Sequence, residues 1–512
     1  MKSEGLPAGR AGRGDSHASF LHRLTVTALS FALGLSCAVA GTVAQSAETN
    51  RVPNIVFILA DDLGWGDLSC YGHERLRTPN IDRVARQGTL FTQFYVNGSV
   101  CSPSRCAFMT GQYPARHRIH GHYADQALNE SRGMSSWLDP KVPNVAALLK
   151  SAGYATAHVG KWHLGGGPGA PEPPAYGFDL ARTMVCNNPF WNEPADTFWP
   201  KSTALFVDEA IAFIRAHKDR PFYVNLWTLL PHAPLNPTEE QMKPYDRFSW
   251  GRGVRHKGAE TIYYASVADL DAQVGRLLNE LEKLGVAENT LVVFSGDNGP
   301  EDIHIGNAGH SGVGSAGPFR GRKRSLYEGG IREPFIVRWP GRVPAGRIDD
   351  ASVVAGVDFL PTVCKLAGIE PPAGHALDGE DVSDILLGTS RARKTDLMWE
   401  WRFRIFGEPF HRSPMLAIRE GDWKLLANPD RSRVELYEIL RDPTQLDNVA
   451  DKHPEVVERL AGKVIAWQKT LPAGPVEPSA GKADYAWPGK AAPKPAAKAG
   501  KKPATKAKRR TQ

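Results

Sequence analysis

The chain has 512 residues and a formal net charge of +7, and 42% of its residues are hydrophobic. A chain of this length is too long for one small core, so two domains are expected. The positive charge is uneven, because residues 490–512 hold nine Lys and Arg and no acid, whereas residues 48–489 carry a net charge of −4. The acidic body argues against a nucleic-acid-binding protein, and no specific nucleic acid partner is expected.

The amino-terminal segment has the pattern of an export signal. Basic residues are scattered before an apolar stretch, residues 24–40, which ends in Ala38-Val39-Ala40 followed by Gly41. Small residues in this order fit a cleavage site, and the stretch is short and broken for a spanning helix, although an uncleaved anchor is the alternative. Residues 1–47 are therefore predicted to be a signal peptide and leader of an exported protein, periplasmic or secreted.

Apolar runs of strand length then alternate with helical patterns. The runs cover residues 54–60, 155–159, 221–230, 290–294 and 334–337, and the helical patterns cover residues 81–87, 144–152, 203–216 and 260–284. Continuous apolar runs indicate strands buried on both faces. The alternation predicts an α/β fold with a large, mostly parallel sheet flanked by helices.

A second, smaller unit is expected near the carboxyl terminus. A Pro/Gly-rich connection at residues 369–379 and a polar stretch at 390–395 indicate a boundary. Short strands are predicted at 397–402, 415–419, 423–427 and 435–437, and a helix at 455–470. We thus expect a catalytic domain over 48–385 and a subdomain of an antiparallel sheet plus one helix over 386–475.

The last segment, residues 476–512, is expected to be a disordered tail. Its end is rich in Lys, Ala and Pro and has no aromatic residue from 490 onward, so it cannot bury a core. Two interpretations stay open: a solvated spacer, or a basic tail that adheres to polyanions.

Oxygen-bearing side chains follow two of the predicted strands. Asp61 and Asp62 come directly after the run 54–60, and Asp297 and Asn298 follow the run 290–294. In open α/β sheets, sites form beyond the carboxyl ends of the strands. Carboxylate and amide oxygens suit Ca²⁺ or Mg²⁺ rather than zinc. The alternative is that each pair is an ordinary turn.

Five motifs follow one another along the chain: Cys101-Ser102-Pro103-Ser104-Arg105, Gly160-Lys161-Trp162-His163, Pro231-His232-Ala233-Pro234, Ser295-Gly296-Asp297-Asn298-Gly299, and Lys323 followed by Glu328-Gly329-Gly330. Over about residues 51–470 this set resembles the formylglycine-dependent sulfatase family of the alkaline phosphatase superfamily. It is similar to the branch that contains arylsulfatases and N-acetylgalactosamine-6-sulfatase.

The resemblance implies that a maturation enzyme oxidises Cys101 to formylglycine (3-oxoalanine). It also implies a divalent cation, usually Ca²⁺ with Mg²⁺ as the alternative, bound by Asp61, Asp62, Asp297, Asn298 and the modified Cys101. An oxygen ligand at position 101 suits such a hard cation better than a thiol does. Pro103 and the apolar residues after it predict a helix that begins just after Cys101, and its amino terminus would favour an anion.

The same resemblance assigns catalytic roles to five further residues. Arg105 would steady the formylglycine, Lys161 and Lys323 would bind the sulfate, His232 would assist departure of the alcohol, and His163 would trigger release of sulfate. Alternatives for Lys323 lie in the same basic run, namely Arg320, Arg322 and Arg324. Further candidates for the pocket are His120, His122, Tyr123, His304 and His310.

The sequence thus predicts hydrolysis of sulfate monoesters by way of a nucleophile at Cys101. Sulfated carbohydrate is the expected substrate, with aryl sulfates as model substrates. Stacking faces for sugar rings, or alternatively core residues, are Trp191, Trp199, Trp227 and Trp250. Two alternatives are a phosphonate or phosphate monoester hydrolase of the same superfamily, and a non-catalytic sulfated-glycan-binding protein in which Cys101 is unmodified.

Overall fold

The computed structural model of the protein describes residues 52–186, 189–249, 258–303 and 309–485. The predicted signal segment, the basic end of the tail, Trp250 and His304 lie outside these ranges. Within them, no helix is long and apolar enough to cross a membrane.

A nine-stranded sheet dominates the described residues. Its strands are β1 (Asn54–Ala60), β2 (Thr89–Tyr95), β3 (Ala155–Lys161), β4 (Leu180–Met184), β5 (Phe222–Trp227), β6 (Thr290–Gly296), β7 (Arg332–Arg338), β8 (Arg347–Asp349) and β9 (Val354–Ala355). The order is β4-β3-β5-β1-β6-β7-β2-β8, and β9 pairs with β2.

The sheet is mixed but mostly parallel, which confirms the predicted fold class. Neighbours from β4 to β6 pair in parallel, whereas β7 runs antiparallel to both β6 and β2. All seven residues of β1 are buried, as expected for a central strand covered on both faces. Strand β5 ends at Trp227, three residues before the predicted end, and β2, β4, β8 and β9 had no counterpart in the sequence analysis.

Helices cover both faces of this sheet. They are α1 (Pro79–Arg86), α2 (Cys101–Thr110), α3 (Gln126–Ser131), α4 (Val145–Ser151), α5 (Ala195–Phe198), α6 (Ser202–His217), α7 (Glu239–Met242), α8 (Ala259–Lys283), α9 (Glu328–Ile331), α10 (Phe359–Ala367) and α11 (Ser383–Leu386). Side chains of α2, α4 and α10 share one apolar cluster with Phe57 and Leu59 of β1. Those of α1, α6 and α8 share another with Val56 and Ile58. Alternate residues of one strand thus build two cores.

The smaller antiparallel sheet is also present. It has the order β10 (Leu397–Glu400), β11 (Leu416–Glu420), β12 (Trp423–Ala427) and β13 (Val434–Glu438). Helix α12 (Pro454–Lys469) packs on one face through Leu460 and Val464, which cluster with Leu425 and Leu436. This arrangement is the predicted sheet plus helix.

Buried polar contacts join the two sheets. Lys424 of β12 donates to Glu328 of α9 at 2.6 Å, and both side chains are 0% exposed. Glu328 also accepts from the Tyr95 hydroxyl at 2.6 Å, and the Tyr95 hydroxyl in turn accepts from Arg419 of β11. The second sheet is therefore held against β2 by charged groups that have no contact with water.

Candidate active site

The carboxyl ends of four parallel strands meet at one edge of the large sheet. Asp61 and Asp62 follow β1, Lys161 is the last residue of β3, and Asp297 follows β6. The loop after β5 carries His232. A cavity of about 350 Å³ opens at this edge, and its lining includes both aspartates after β1, both histidines of the predicted set, Lys161, Lys323 and Cys101. Topology therefore brings together residues far apart in the chain, such as Lys323 and Asp62, which are separated by 261 positions.

Cys101 lies at the first turn of α2, directly after an extended residue, Val100. Its side chain is buried, and Sγ lies 3.4 Å from the ammonium nitrogen of Lys161. Burial, and next the negative charge of Asp61, raise the pKa of the Cys101 thiol to about 12. The unmodified thiol is therefore protonated at neutral pH and is a weak nucleophile.

Four of the five predicted metal ligands, all except Cys101, are buried side by side at the ends of β1 and β6. The Asp62 N–H donates to Asp297 Oδ1 at 3.1 Å, and Asn298 Nδ2 donates to Asp62 Oδ1 at 2.7 Å. Asp62 has a φ of 62°, a left-handed conformation that is uncommon outside glycine. Asp61 Oδ1 and Asn298 Oδ1 are buried without any hydrogen-bond partner.

This cluster fits a hard divalent cation. Possible ligand atoms of Asp61, Asp62, Cys101 and His232 all lie within 4.8 Å of one another. The two oxygens without hydrogen-bond partners, on Asp61 and Asn298, are acceptors that a cation would satisfy. His232 belongs to this group by distance, although the sequence analysis placed it among the catalytic residues and not among the ligands.

Arg105 occupies the base of the site. It is 0% exposed; Nε and Nη2 donate to Asp297 Oδ2 at 3.0 and 2.7 Å, and Nη1 donates to the Lys161 carbonyl at 2.9 Å. Its guanidinium carbon lies 5.1 Å from the centre of the Trp227 ring. Arg105 thus fixes the carboxylate that follows β6 relative to the end of β3.

Two lysines cover the acidic cluster. The Lys161 ammonium group pairs with Asp61, and the Lys323 ammonium group donates to Asp62 Oδ1 and Oδ2 at 2.6 and 2.7 Å. Burial would lower the pKa of each lysine, but the charge of its aspartate raises the pKa above the ordinary value. Both lysines are therefore cationic within the cavity.

The structure shows which residues of the basic run 320–324 reach the cavity. Lys323 and Arg324 line the cavity. Arg322 instead donates to the carbonyls of Glu301, Gly312 and Gly314. Arg320 donates to the Phe410 and Gln445 carbonyls.

Glu301 was missed by the sequence analysis. It lines the cavity, pairs with Arg324 at 3.0 Å and lies 3.6 Å from Lys323. Burial would raise its pKa, but the charges of Lys323 and Arg324 hold the pKa well below the ordinary value. Its place two residues after Gly299 in the Asp297 motif was the available signal.

The pKa values of Asp61 and Asp297 shift in opposite directions. Burial would raise the pKa of Asp61, but the charges of Lys161, His232 and Arg105 hold it well below the ordinary value. Burial, and next the charge of Asp61, raise the pKa of Asp297. The pKa values of two carboxyl groups in one buried site move apart in this way, because ionising both would place two negative charges close together.

His163 is held in one tautomer. Its Nε2 lies 3.1 Å from the Tyr123 carbonyl, which can only accept a hydrogen bond, so Nε2 carries the proton. Nδ1 is buried with no hydrogen-bond partner. Burial, and next the charge of Lys161, lower the pKa of His163 well below its ordinary value. The ring is therefore neutral and presents an unprotonated nitrogen.

His232 has the opposite arrangement. Its Nδ1 donates to the Ala233 carbonyl at 2.6 Å, and its Nε2 lies 3.7 Å from Asp62 Oδ2. Burial lowers the pKa of His232, while the charges of Asp62 and Asp61 oppose that shift. Nε2 can give up a proton only after taking one up, and the neighbouring carboxylates favour that uptake.

The remaining candidates divide between the cavity and the core. His122 and Trp199 line the cavity. Trp227 is 0% exposed within β5, and Trp191 is buried in the apolar cluster against α6, so both are core residues. His120 is buried beside Glu400 at 3.4 Å. His310 lies in a short helical turn, Gly309–Val313.

Comparisons with known proteins identify the family of this chain. Residues 53–369 match the family model described as Sulfatase, and residues 317–470 match a model described as N-sulphoglucosamine sulphohydrolase, C-terminal. The chain is 33% identical to arylsulfatase A of Homo sapiens over 82% of this chain and 88% of that protein. It is 34% identical to N-acetylgalactosamine-6-sulfatase of Canis lupus familiaris over 67% of each chain.

A solved structure, that of Ps i-CgsB in complex with k-i-k-neocarrahexaose, shares the fold. It has a TM-score of 0.68 at 24% identity and covers 82% of this chain and 94% of that chain. The protein belongs to the sulfatase family and is a sulfuric ester hydrolase.

Proposed function

We propose that this sulfatase hydrolyses sulfate monoesters of carbohydrate and that residue 101 acts as formylglycine beside a divalent cation. The observation that carries the proposal is the position of Cys101. Its side chain lines the cavity next to Lys161 and the aspartates, yet burial raises the pKa of the thiol to about 12. A thiol in this setting is a poor nucleophile. An oxygen nucleophile instead suits the hard cation that the surrounding oxygen ligands would bind.

Asp61, Asp62, Asp297 and Asn298 would hold the cation, with Ca²⁺ favoured and Mg²⁺ as the alternative. Their oxygens fit a hard cation, and two of these oxygens have no hydrogen-bond partner. When bound, the cation supplies Lewis-acid stabilisation of negative charge and lowers the pKa of a hydroxyl group. Formylglycine supplies a hydrated aldehyde, whose two hydroxyls give an oxygen nucleophile and a second group for releasing sulfate.

The two lysines supply the positive charge that a sulfate ester needs. Lys161 and Lys323 are both buried and both line the cavity with Cys101. Negative charge gathers on the bridging oxygen as the S–O bond breaks, and fixed ammonium groups in a site shielded from water stabilise it. We assign both lysines to sulfate binding.

The two histidines serve different proton transfers. His163 presents Nδ1 without a proton, so it accepts one in the step that releases sulfate. His232 uses Nε2, which lies beside Asp62, to assist departure of the alcohol. Backbone carbonyls hold both rings in position, which is the orienting contact that an acid–base histidine requires.

Carbohydrate is the proposed substrate class because the relatives include N-acetylgalactosamine-6-sulfatase and the cavity wall includes Trp199. Tryptophan gives an apolar face with which a sugar ring can stack. Aryl sulfates are the convenient model substrates. Export by residues 1–47 and modification by a maturation enzyme remain predictions, and the tail is either a solvated spacer or a segment that adheres to polyanions.

The test compares four substrates with one enzyme preparation: an aryl sulfate, the matching aryl phosphate and phosphonate, and N-acetylgalactosamine-6-sulfate. We expect turnover of both sulfates, and loss of that turnover in Cys101→Ala. Cys106→Ala is the matched control, because Cys106 is buried in the same helix but packs in the apolar core. Faster turnover of the phosphate or phosphonate than of the sulfate, or full activity in Cys101→Ala, contradicts the proposal.

A further inference from the structure

A second cavity adjoins the one at Cys101. Its volume is about 410 Å³, and His122 and Arg324 line both cavities. Apart from Arg324, its wall comes from three separate parts of the chain, within residues 121–132, 401–406 and 475–478. A substrate whose sulfate lies at Cys101 can therefore extend past His122 and Arg324 into the second cavity.

The wall of this second cavity is aromatic on one side. Trp401, Phe403 and Phe406 line it, and the rings of Trp401 and Phe403 meet edge to face with centres 5.3 Å apart. Trp401 Nε1 is a buried donor without a hydrogen-bond partner. Apolar walls with a few placed donors are typical of sites that bind small organic ligands, and aromatic rings offer faces for stacking.

Charge in the second cavity is not fully compensated. Arg324 pairs with Glu301 at 3.0 Å, and Arg404 pairs with Glu477 at 3.4 Å. Arg132 is different: its guanidinium carbon lies 5.2 Å from the centre of the Phe403 ring, and it has no ion pair within the described ranges.

Arg132 also has a donor that nothing satisfies. Its Nη1 is buried and has no hydrogen-bond partner. The half-buried Arg132 side chain lines the cavity without an ion pair among the described residues, so an anionic ligand in the cavity gains a charge-assisted interaction with its guanidinium group. Among the described residues that line the second cavity, Arg132 is thus the arginine suited to bind an anion.

We propose that the second cavity binds the sugar unit next to the one that carries the scissile sulfate, and that Arg132 binds an anionic group on that neighbouring sugar. The group is a carboxylate or a second sulfate, which share the same chemistry. This inference rests on the proposed function at Cys101, and it narrows the substrate to an oligosaccharide with anionic groups on adjacent units.

The experiment measures binding rather than turnover. Full-length Cys101→Ala protein is titrated by calorimetry with three disaccharides that share one sulfated hexosamine and differ in the second sugar, which carries a carboxylate, a sulfate or neither. We expect at least one anionic disaccharide to bind about 10-fold more tightly than the neutral one. The two anionic arms show which group Arg132 prefers.

Variants in the same background locate the effect. Arg132→Gln should abolish the preference for the anionic disaccharides, while Phe403→Leu should weaken binding of all three. Arg86→Gln, which removes an exposed arginine at the end of α1, is the matched control and should preserve the preference. Equal binding of the three disaccharides, or a preference that survives Arg132→Gln, overturns the inference.

Failure of the two proposals can be told apart. Wild-type protein that turns over no sulfate ester, while its Cys101→Ala form keeps the preference for anionic disaccharides, refutes the catalytic proposal and leaves the second binding site standing. Turnover of an aryl sulfate together with equal disaccharide binding supports the catalytic proposal and refutes the second site.

Discussion

Replacing Lys424 should weaken the contact between the smaller and the larger sheet and lower the free energy of unfolding measurably. Lys424 and Glu328 form an ion pair at 2.6 Å, and both side chains are 0% exposed. Breaking one partner of such a pair costs about 3–5 kcal/mol, because the other charge stays buried. In Lys424→Met, Glu328 keeps Arg332 at 3.2 Å and the Tyr95 hydroxyl at 2.6 Å. We therefore expect a loss near the lower limit, about 3 kcal/mol.

Urea unfolding of Lys424→Met, Glu328→Gln and the double variant measures the coupling between the two groups. The double variant should lose less than the sum of the single variants, with a coupling of about 2 kcal/mol. Lys463→Met is the control, because Lys463 and Asp396 form an ion pair at 2.8 Å with side chains 42% and 23% exposed. Its cost should stay below about 1 kcal/mol. A loss below about 1 kcal/mol in Lys424→Met refutes the argument.

Three other predictions concern acid stability, proton transfer and the cation. Burial lowers the pKa of His158 to about 3, so stability is full above the unfolded pKa of about 6.5 and falls as pH drops below it. Measured by urea unfolding, the free energy of unfolding of wild type should fall by about 2 kcal/mol more between pH 6.5 and 5 than that of His158→Phe. An equal fall in the two proteins would contradict this. His163→Ala should lower kcat about 100-fold or more, yet release one equivalent of aryl alcohol in a stopped-flow burst, and unchanged steady-state turnover would exclude the assigned role. Dialysis against EDTA should abolish activity, and Ca²⁺ should restore it and raise the unfolding temperature in wild type but not in Asp62→Asn. Full activity after EDTA would argue against the cation.

The central strands could be predicted because they carry their own signal. Strands β1 and β6 are continuous apolar runs whose residues are all buried. The edge strands lack such a local signal, because β4 is half-buried along most of its length and β8 has only three residues. Their pairing depends on neighbours far away in sequence, which no local pattern shows.

The candidate site divides in the same way. Motifs and strand ends could indicate Asp61, Lys161 and Cys101, because each lies in a recognisable local context. The tautomer of His163 could not be predicted, since it depends on the Tyr123 carbonyl 40 positions away. Likewise, the second cavity combines four distant parts of the chain, and its lining has no sequence motif of its own.

The most direct test of the account is the mass of the peptide that contains Cys101, from protein made in a host with a competent maturation enzyme. The account predicts a mass about 18 Da below that of the cysteine peptide, the difference between thiol and aldehyde, in the same preparation that turns over an aryl sulfate. An unmodified cysteine in a preparation that hydrolyses sulfate would contradict it.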